Sequence, residues 1–163
     1  DLILTLYSST AGGYTESYAY AFSDPNTKAF PSINKPYLQA VPDKEEFGTL
    51  QSEEKAIEFY KQAVPSNDIE SPYYRWQRTW AIGELENTLK KTLVAQSKTG
   101  FVYPNYKEGD ELGSIKDIKV MKRGNSGKVI ELDIMTTKGC YRISKELVVR
   151  RIFQKDNIDY ILY

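Results

Sequence analysis

The sequence predicts an α+β domain. Two stretches, at residues 52–63 and 82–94, space apolar side chains three and four apart as amphipathic helices do. Residues 115–134 alternate Val and Ile with charge on either side of Arg123-Gly124-Asn125-Ser126-Gly127, which marks a hairpin. The element order, strand, loop, helix, strand, helix, hairpin, helix, strand, has no repeating βαβ unit. The expected sheet is mixed and mostly antiparallel, with about three short helices and a long proline-rich loop, in a single domain over residues 1–163.

Residues 2–7, with the apolar run Leu2-Ile3-Leu4-Thr5-Leu6, read as a short strand expected at the centre of a sheet. Residues 17–24 carry alternating aromatics and are read as either extended or a single helical turn. From Asp24 to Gly48, Pro25, Pro31, Pro36 and Pro42 recur every five or six residues, a density that excludes a helix or a central strand. This segment is expected to lie on the surface, pinned by Phe30, Ile33, Tyr37, Leu38 and Val41.

Ser52 is the expected N-cap of the first long helix, with Glu53 and Glu54 at its positive end and Pro65 beyond its stop. Ile57, Phe59, Tyr60 and Ala63 form its apolar side. Ser71-Pro72 then introduces a strand through Ala81 that would point Trp76 and Trp80 to one face. The second helix has the stripe Ile82, Leu85, Leu89 and Leu93 and an i,i+4 pair, Glu86 and Lys90. Gly83 in its first turn costs about 1 kcal/mol relative to Ala.

Residues 95–114 read as loop, with turns at Thr99-Gly100, Pro104-Asn105 and Glu108-Gly109-Asp110. After the hairpin, Lys138-Gly139 turns the chain into Cys140-Tyr141-Arg142-Ile143. Ser144 is the expected cap of a last helix, Lys145 to Phe153, and Ile158 to Tyr163 a final strand.

Composition narrows the function. Lys plus Arg and Asp plus Glu both number 22, so there is no basic surplus to neutralise phosphates, and nucleic acid is excluded as the main ligand. The local cluster Lys119, Lys122, Arg123 and Lys128 reads as a solvated strand face. With 0 histidines the commonest general base and metal ligand are missing. The single Cys140 makes no internal disulfide and is expected to be a small buried residue. No cofactor and no metal are expected. No apolar run approaches the roughly 20 residues that span a bilayer.

The densest chemistry lies in Tyr7-Ser8-Ser9-Thr10-Ala11-Gly12-Gly13-Tyr14-Thr15-Glu16. Gly12 and Gly13 would let backbone pass close beneath a ligand. Ser9, Thr10 and Thr15 offer hydroxyls to a sugar. Tyr14 or Trp76 offers an aromatic face. Glu16 would bind a sugar hydroxyl or hold Arg75, and Tyr74 completes the candidate substrate-binding set. A plain structural turn at the glycines and a core position for Trp76 are the alternatives.

Five segments in order resemble the stage II sporulation protein D (SpoIID) family and its LytB amidase-enhancer relatives. They are Ser9–Glu16, Pro36-Tyr37-Leu38-Gln39-Ala40-Val41-Pro42-Asp43, Ser71-Pro72-x-Tyr74-x-Trp76, Glu84-Leu85-x-x-x-Leu89, and Arg123-Gly124-x-Ser126-Gly127-Lys128-Val129-x-Glu131-Leu132. The resemblance covers about Tyr7 to Phe153 and the C-terminal portion of that family's domain. It implies an extracytoplasmic lytic transglycosylase that cleaves peptidoglycan strands without water, leaving 1,6-anhydro-muramyl ends. It implies peptidoglycan as partner, together with a cell-wall amidase or another sporulation hydrolase. The family's catalytic glutamate lies upstream of the Gly-Gly-Tyr-Thr-Glu run, so the acid is expected outside this sequence, in an upstream half of the domain. Glu16 is expected in the groove wall. Some members place His and Cys near the run as zinc ligands, where this chain has Ser8 and Ala11. Against the enzyme stands a non-catalytic peptidoglycan-binding enhancer of an amidase, and a structural surface domain that has lost its ligand.

Overall fold

The computed structural model describes residues 10–154. It is α+β, with helices α1 (Tyr18–Ala21), α2 (Glu53–Lys61), α3 (Ile82–Ser97) and α4 (Glu146–Ile152). Strands β1 (Val102–Tyr103), β2 (Ile115–Arg123), β3 (Val129–Thr136) and β4 (Cys140–Ser144) form one antiparallel sheet in the order β1-β4-β3-β2. The expected strands at residues 2–7 and 158–163 fall outside the described residues.

The sheet follows from its alternation. Ile130, Leu132 and Ile134 of β3 and Tyr141 and Ile143 of β4 are buried on one face. Register places Leu132 beside Ile143 and Ile143 beside Val102, so one apolar row crosses three strands. Helices α3 and α4 cover that face with Leu85, Leu89, Leu93, Val148, Val149 and Ile152. On the other face, Asp133 takes a two-pronged contact from Arg142, with 2.8 Å to each carboxylate oxygen. That hydrogen-bonded ion pair holds the Asp133 carboxyl below the usual carboxylate range.

Several sequence expectations change in detail. Ile82 begins α3 but is 60% exposed, because the helix meets the sheet only from Leu85 onward. Glu86 leaves its expected partner Lys90 and accepts from the Ile115 N–H at 2.9 Å, tying α3 to the start of β2. In α2 the buried side is Ala56 and Phe59, whereas Ile57 is exposed. Ser52 does cap α2, accepting from the Lys55 N–H at 3.3 Å. Ser144 is the last residue of β4 rather than a cap, and Lys145 takes the cap position without a side-chain capping bond. Cys140 is exposed, because in β4 the inward positions are Tyr141 and Ile143. Residues 72–81 form turns and coil rather than a strand, starting with the Tyr74 N–H to Ser71 carbonyl turn at 2.9 Å. Trp76 and Trp80 therefore do not share a strand face: Trp76 is exposed and Trp80 packs on the main core. The two-residue β1, read as loop, is too short for any periodicity to reveal.

The proline-rich segment is held differently from expectation as well. Ile33, Tyr37 and Val41 are 78%, 55% and 57% exposed, so they pin nothing. Backbone bonds hold it instead. Tyr18 N–H reaches Leu38 carbonyl at 2.9 Å, Ser32 N–H reaches Ala19 carbonyl at 3.0 Å, and Asp43 N–H reaches Gly13 carbonyl at 3.0 Å. Of the expected anchors, Phe30 packs edge-on against Phe101. Residues 17–24 resolve as the single helical turn α1.

Leu89 is fully buried where α3 meets the sheet. Leu89→Ala should cost about 2–5 kcal/mol, read as a lower urea midpoint with an unchanged slope.

Candidate functional site

The run from Thr10 to Glu16 contributes Tyr14 to a smaller apolar cluster with Leu50 and Phe59, with Ala40, Phe47, Tyr60 and Val64 packed around it. Gly12 and Gly13 have φ of 74° and 89°, conformations that favour glycine. Both are buried. A side chain at Gly13 would meet Phe59, Ser66 and Tyr74, and one at Gly12 would meet Arg75. The absent Cβ atoms thus admit protein: the place read from sequence as lying beneath a sugar ring is filled by the chain itself. Gly12 N–H donates to Asp68 Oδ2 at 2.8 Å, and Thr10 and Ser71 share a hydroxyl contact at 2.7 Å.

Tyr14 is only 5% exposed, so its ring is a core element and not a stacking face. Burial first, then the Glu16 charge, pushes its phenol pKa up. Thr15 is exposed, but its hydroxyl already exchanges bonds with Val41, donating to the carbonyl at 3.2 Å and accepting from the N–H at 2.9 Å. Ser9 lies outside the described residues.

Glu16 does not hold Arg75. Its carboxylate enters the tip of the β2–β3 hairpin, where Oε2 accepts from Ser126 Oγ at 2.6 Å and from Ser126 N–H at 3.2 Å. Oε1 accepts from Asn125 N–H at 3.3 Å and from Ser17 N–H at 2.9 Å. Ser126 is fully buried. Gly124 is needed here, because a Cβ at that position would collide with the Glu16 carboxylate. The hairpin tip receives further bonds: Tyr60 Oη donates to Ser126 carbonyl at 2.9 Å, and Leu50 N–H to Asn125 carbonyl at 2.9 Å. Arg123 grips Glu53 with two bonds, at 2.7 and 2.9 Å. The basic cluster read as a solvated face is therefore partly drawn inward, since Lys128 is also half-buried and burial lowers its ammonium pKa.

Arg75 works as a clamp. Its guanidinium donates to the carbonyls of Gly12 and Tyr74 at 2.9 Å each and to that of Gln62 at 3.0 Å. It also lies over the Tyr74 ring at 4.1 Å and near the rings of Phe59 and Tyr60. Tyr74 is buried and donates to Val64 carbonyl at 2.6 Å. With positions 74 and 75 fixed inward, Tyr73 and Trp76 on either side stand out at 46% and 62% exposure. Of the aromatics proposed as sugar faces, Trp76 is the one that reaches solvent.

Four of the five sequence segments that resemble SpoIID thus meet: the Gly-Gly run, Val41 to Asp43, Ser71 to Trp76, and the hairpin tip. Glu84 to Leu89 lies apart, in the main core. Sequence reading missed Asp68, Tyr60 and Phe59 as partners of the run. Asp68 follows Asn67 in a polar loop, and nothing in its neighbourhood signals a bond to Gly12. Among the described residues no group of three or more His, Cys, Asp or Glu side chains is arranged to hold a metal ion, and no helix is long and apolar enough to cross a membrane.

The architecture is that of an α+β domain with a four-stranded antiparallel sheet and a loop-rich lobe latched to one hairpin tip. The model of a family described as a domain of unknown function (DUF8618) matches residues 24–160, and the chain belongs to that family. The matched span takes in the clamp and the hairpin tip and begins after the Gly-Gly run. No curated protein and no solved structure matches the chain.

Two outcomes follow from this geometry. Glu16→Ala leaves the buried donors of Ser126 and Ser17 and the half-buried N–H of Asn125 without this acceptor and should destabilise by about 2–3 kcal/mol, with Ser126→Ala adding little more in the double variant. Tyr60 is the second. Burial, with Glu16 and Glu146 adding and Arg75 and Arg123 opposing, pushes its phenol up to about 12. A raised folded pKa gives stability that is complete below the unfolded value near 10 and is lost as pH rises through about 12. Urea midpoints measured from pH 9 to 12 should fall more steeply for the parent than for Tyr60→Phe.

Proposed function

We propose that this chain is the substrate-holding part of a SpoIID-type peptidoglycan lytic transglycosylase acting outside the cytoplasm. The observation that carries this reading is Trp76, whose indole is 62% exposed next to the Arg75 clamp. A glycan strand presents the C–H faces of its pyranose rings, and an uncovered indole is a surface those faces stack on. The meeting of four separated segments around the same turn supports the reading, since they act together rather than as independent loops.

In such a reaction an acid protonates the glycosidic oxygen as the bond from the muramyl C1 breaks. The C6 hydroxyl of the same sugar then attacks C1, and its proton passes to the carboxylate just formed. One carboxyl serves both steps when its pKa lies near neutrality. Glu16 does not suit this role, because both its oxygens are occupied by donors of the hairpin tip and of Ser17. The resemblance assigns the acid to a glutamate upstream of the run, and this chain contributes position rather than proton transfer. The same occupancy of Glu16 favours a second reading, a peptidoglycan-binding partner that enhances a cell-wall amidase.

Trp76→Ala should weaken co-sedimentation with purified, insoluble peptidoglycan about tenfold, with an unchanged melting temperature because the ring supports no core. Equal retention by a folded variant would remove the indole from the site. Mass spectrometry of glycan strands incubated with the full-length protein separates the two readings: anhydro-muramyl ends mark the transglycosylase, and undigested strands that remain bound mark the enhancer.

A further inference from the structure

The face of the sheet turned away from α3 and α4 carries a row of side chains built from other elements than the Trp76 turn. Register sets Tyr103 of β1 beside Arg142 of β4, Arg142 beside Asp133 of β3, and Asp133 beside Lys119 of β2. Side chains at directly opposed positions leave a sheet on the same side. One row therefore crosses all four strands, over about 14 Å at the usual strand spacing. Burial of the neighbours compels this display. Val102 is buried, so Tyr103, beside it in a two-residue strand, points out and is 79% exposed. Tyr141 and Ile143 are buried on either side of Arg142, and Leu132 and Ile134 on either side of Asp133. Lys119, at the far end, is exposed.

The row alternates in hydrogen-bonding character. Arg142 donates through Nε and Nη2 to the two Asp133 oxygens, at 2.8 Å each, and this double contact sets the plane of its half-exposed guanidinium. Among the described residues its Nη1 has no hydrogen-bond partner. Each Asp133 oxygen takes one bond from Arg142 and can accept another. Among the described residues Lys119 forms no ion pair within 4.0 Å, so its ammonium is a further donor. Read across the strands, the surface offers an aromatic plate, a donor, an acceptor and a donor. A phosphate, which only accepts, would suit Arg142 and Lys119 but would meet the Asp133 carboxylate between them. An apolar partner would strip water from the ion pair and return no hydrogen bonds. Sugar hydroxyls both donate and accept, and the C–H face of a pyranose suits a phenol ring.

We propose that Tyr103, Arg142, Asp133 and Lys119 form a second carbohydrate-binding site, specific for an uncharged saccharide. One pyranose stacks on the Tyr103 ring. Neighbouring hydroxyls accept from Arg142 Nη1 and donate to Asp133, and Lys119 donates to the next sugar along the row. The site stands on the sheet register and holds whether or not Trp76 binds glycan.

The test is an NMR titration of the protein with an N-acetylglucosamine tetrasaccharide, following backbone amides and the Arg142 Nε–H. Saturable shifts are expected at Tyr103, Lys119 and the Arg142 side chain. Tyr103→Ala should weaken this binding about tenfold, and Trp76→Ala should leave it unchanged. Tyr103 stands mostly in solvent, so its variant keeps the melting temperature of the parent. Three results would each overturn the proposal: no saturable shift along the row, equal affinity in Tyr103→Ala, or loss of the row's shifts in Trp76→Ala. Saturable shifts there with inorganic phosphate and none with the tetrasaccharide would overturn it as well.

Discussion

The carboxylate of Glu16 in the β2–β3 hairpin tip is the contact on which the rest of the arrangement depends. It joins residues 109 and 110 positions apart in the chain to one turn. A carboxylate drawn partly out of water needs its lone pairs filled, and here hydroxyl and backbone N–H groups fill them. Those same N–H groups belong to a turn that would otherwise leave donors unpaired. Each side therefore satisfies a need of the other, and the loop-rich lobe acquires a fixed orientation against the sheet.

Arg75 does for the opposite charge what Glu16 does for the negative one. Its guanidinium is spread over carbonyl oxygens from three segments and over aromatic faces, so the charge is dispersed rather than paired. The clamp and the latch both touch the Gly12–Glu16 run, from its two ends. Between them they leave outward-facing positions at Tyr73 and Trp76.

Local periodicity made much of the fold legible. The spacing of Leu85, Leu89 and Leu93 and the alternation along Ile130, Leu132 and Ile134 each bury one face, and both bury the face that the spacing indicates. Ser52 was legible as a cap because the capping bond spans only three residues. The strand expected over Trp76 failed because a turn bond holds Ser71 to Tyr74 and Arg75 reaches carbonyls of Gly12 and Gln62, which come from elsewhere in the chain. Cys140 was misplaced for a smaller reason: one step along a strand exchanges inside for outside.

The sequence by itself determined the main helices, the hairpin and the balanced charge, because these rest on bonds and patterns within a few residues. Tertiary structure decided which residues gather around the Gly-Gly run. It filled the space over Gly12 and Gly13 with Phe59, Tyr74 and Arg75, turned Tyr14 inward and Trp76 outward, and gave Glu16 to Ser126 instead of Arg75. The physical reason is that burial and hydrogen-bond satisfaction are settled between groups distant in sequence, and a residue's type states what it can bond, not what will stand beside it.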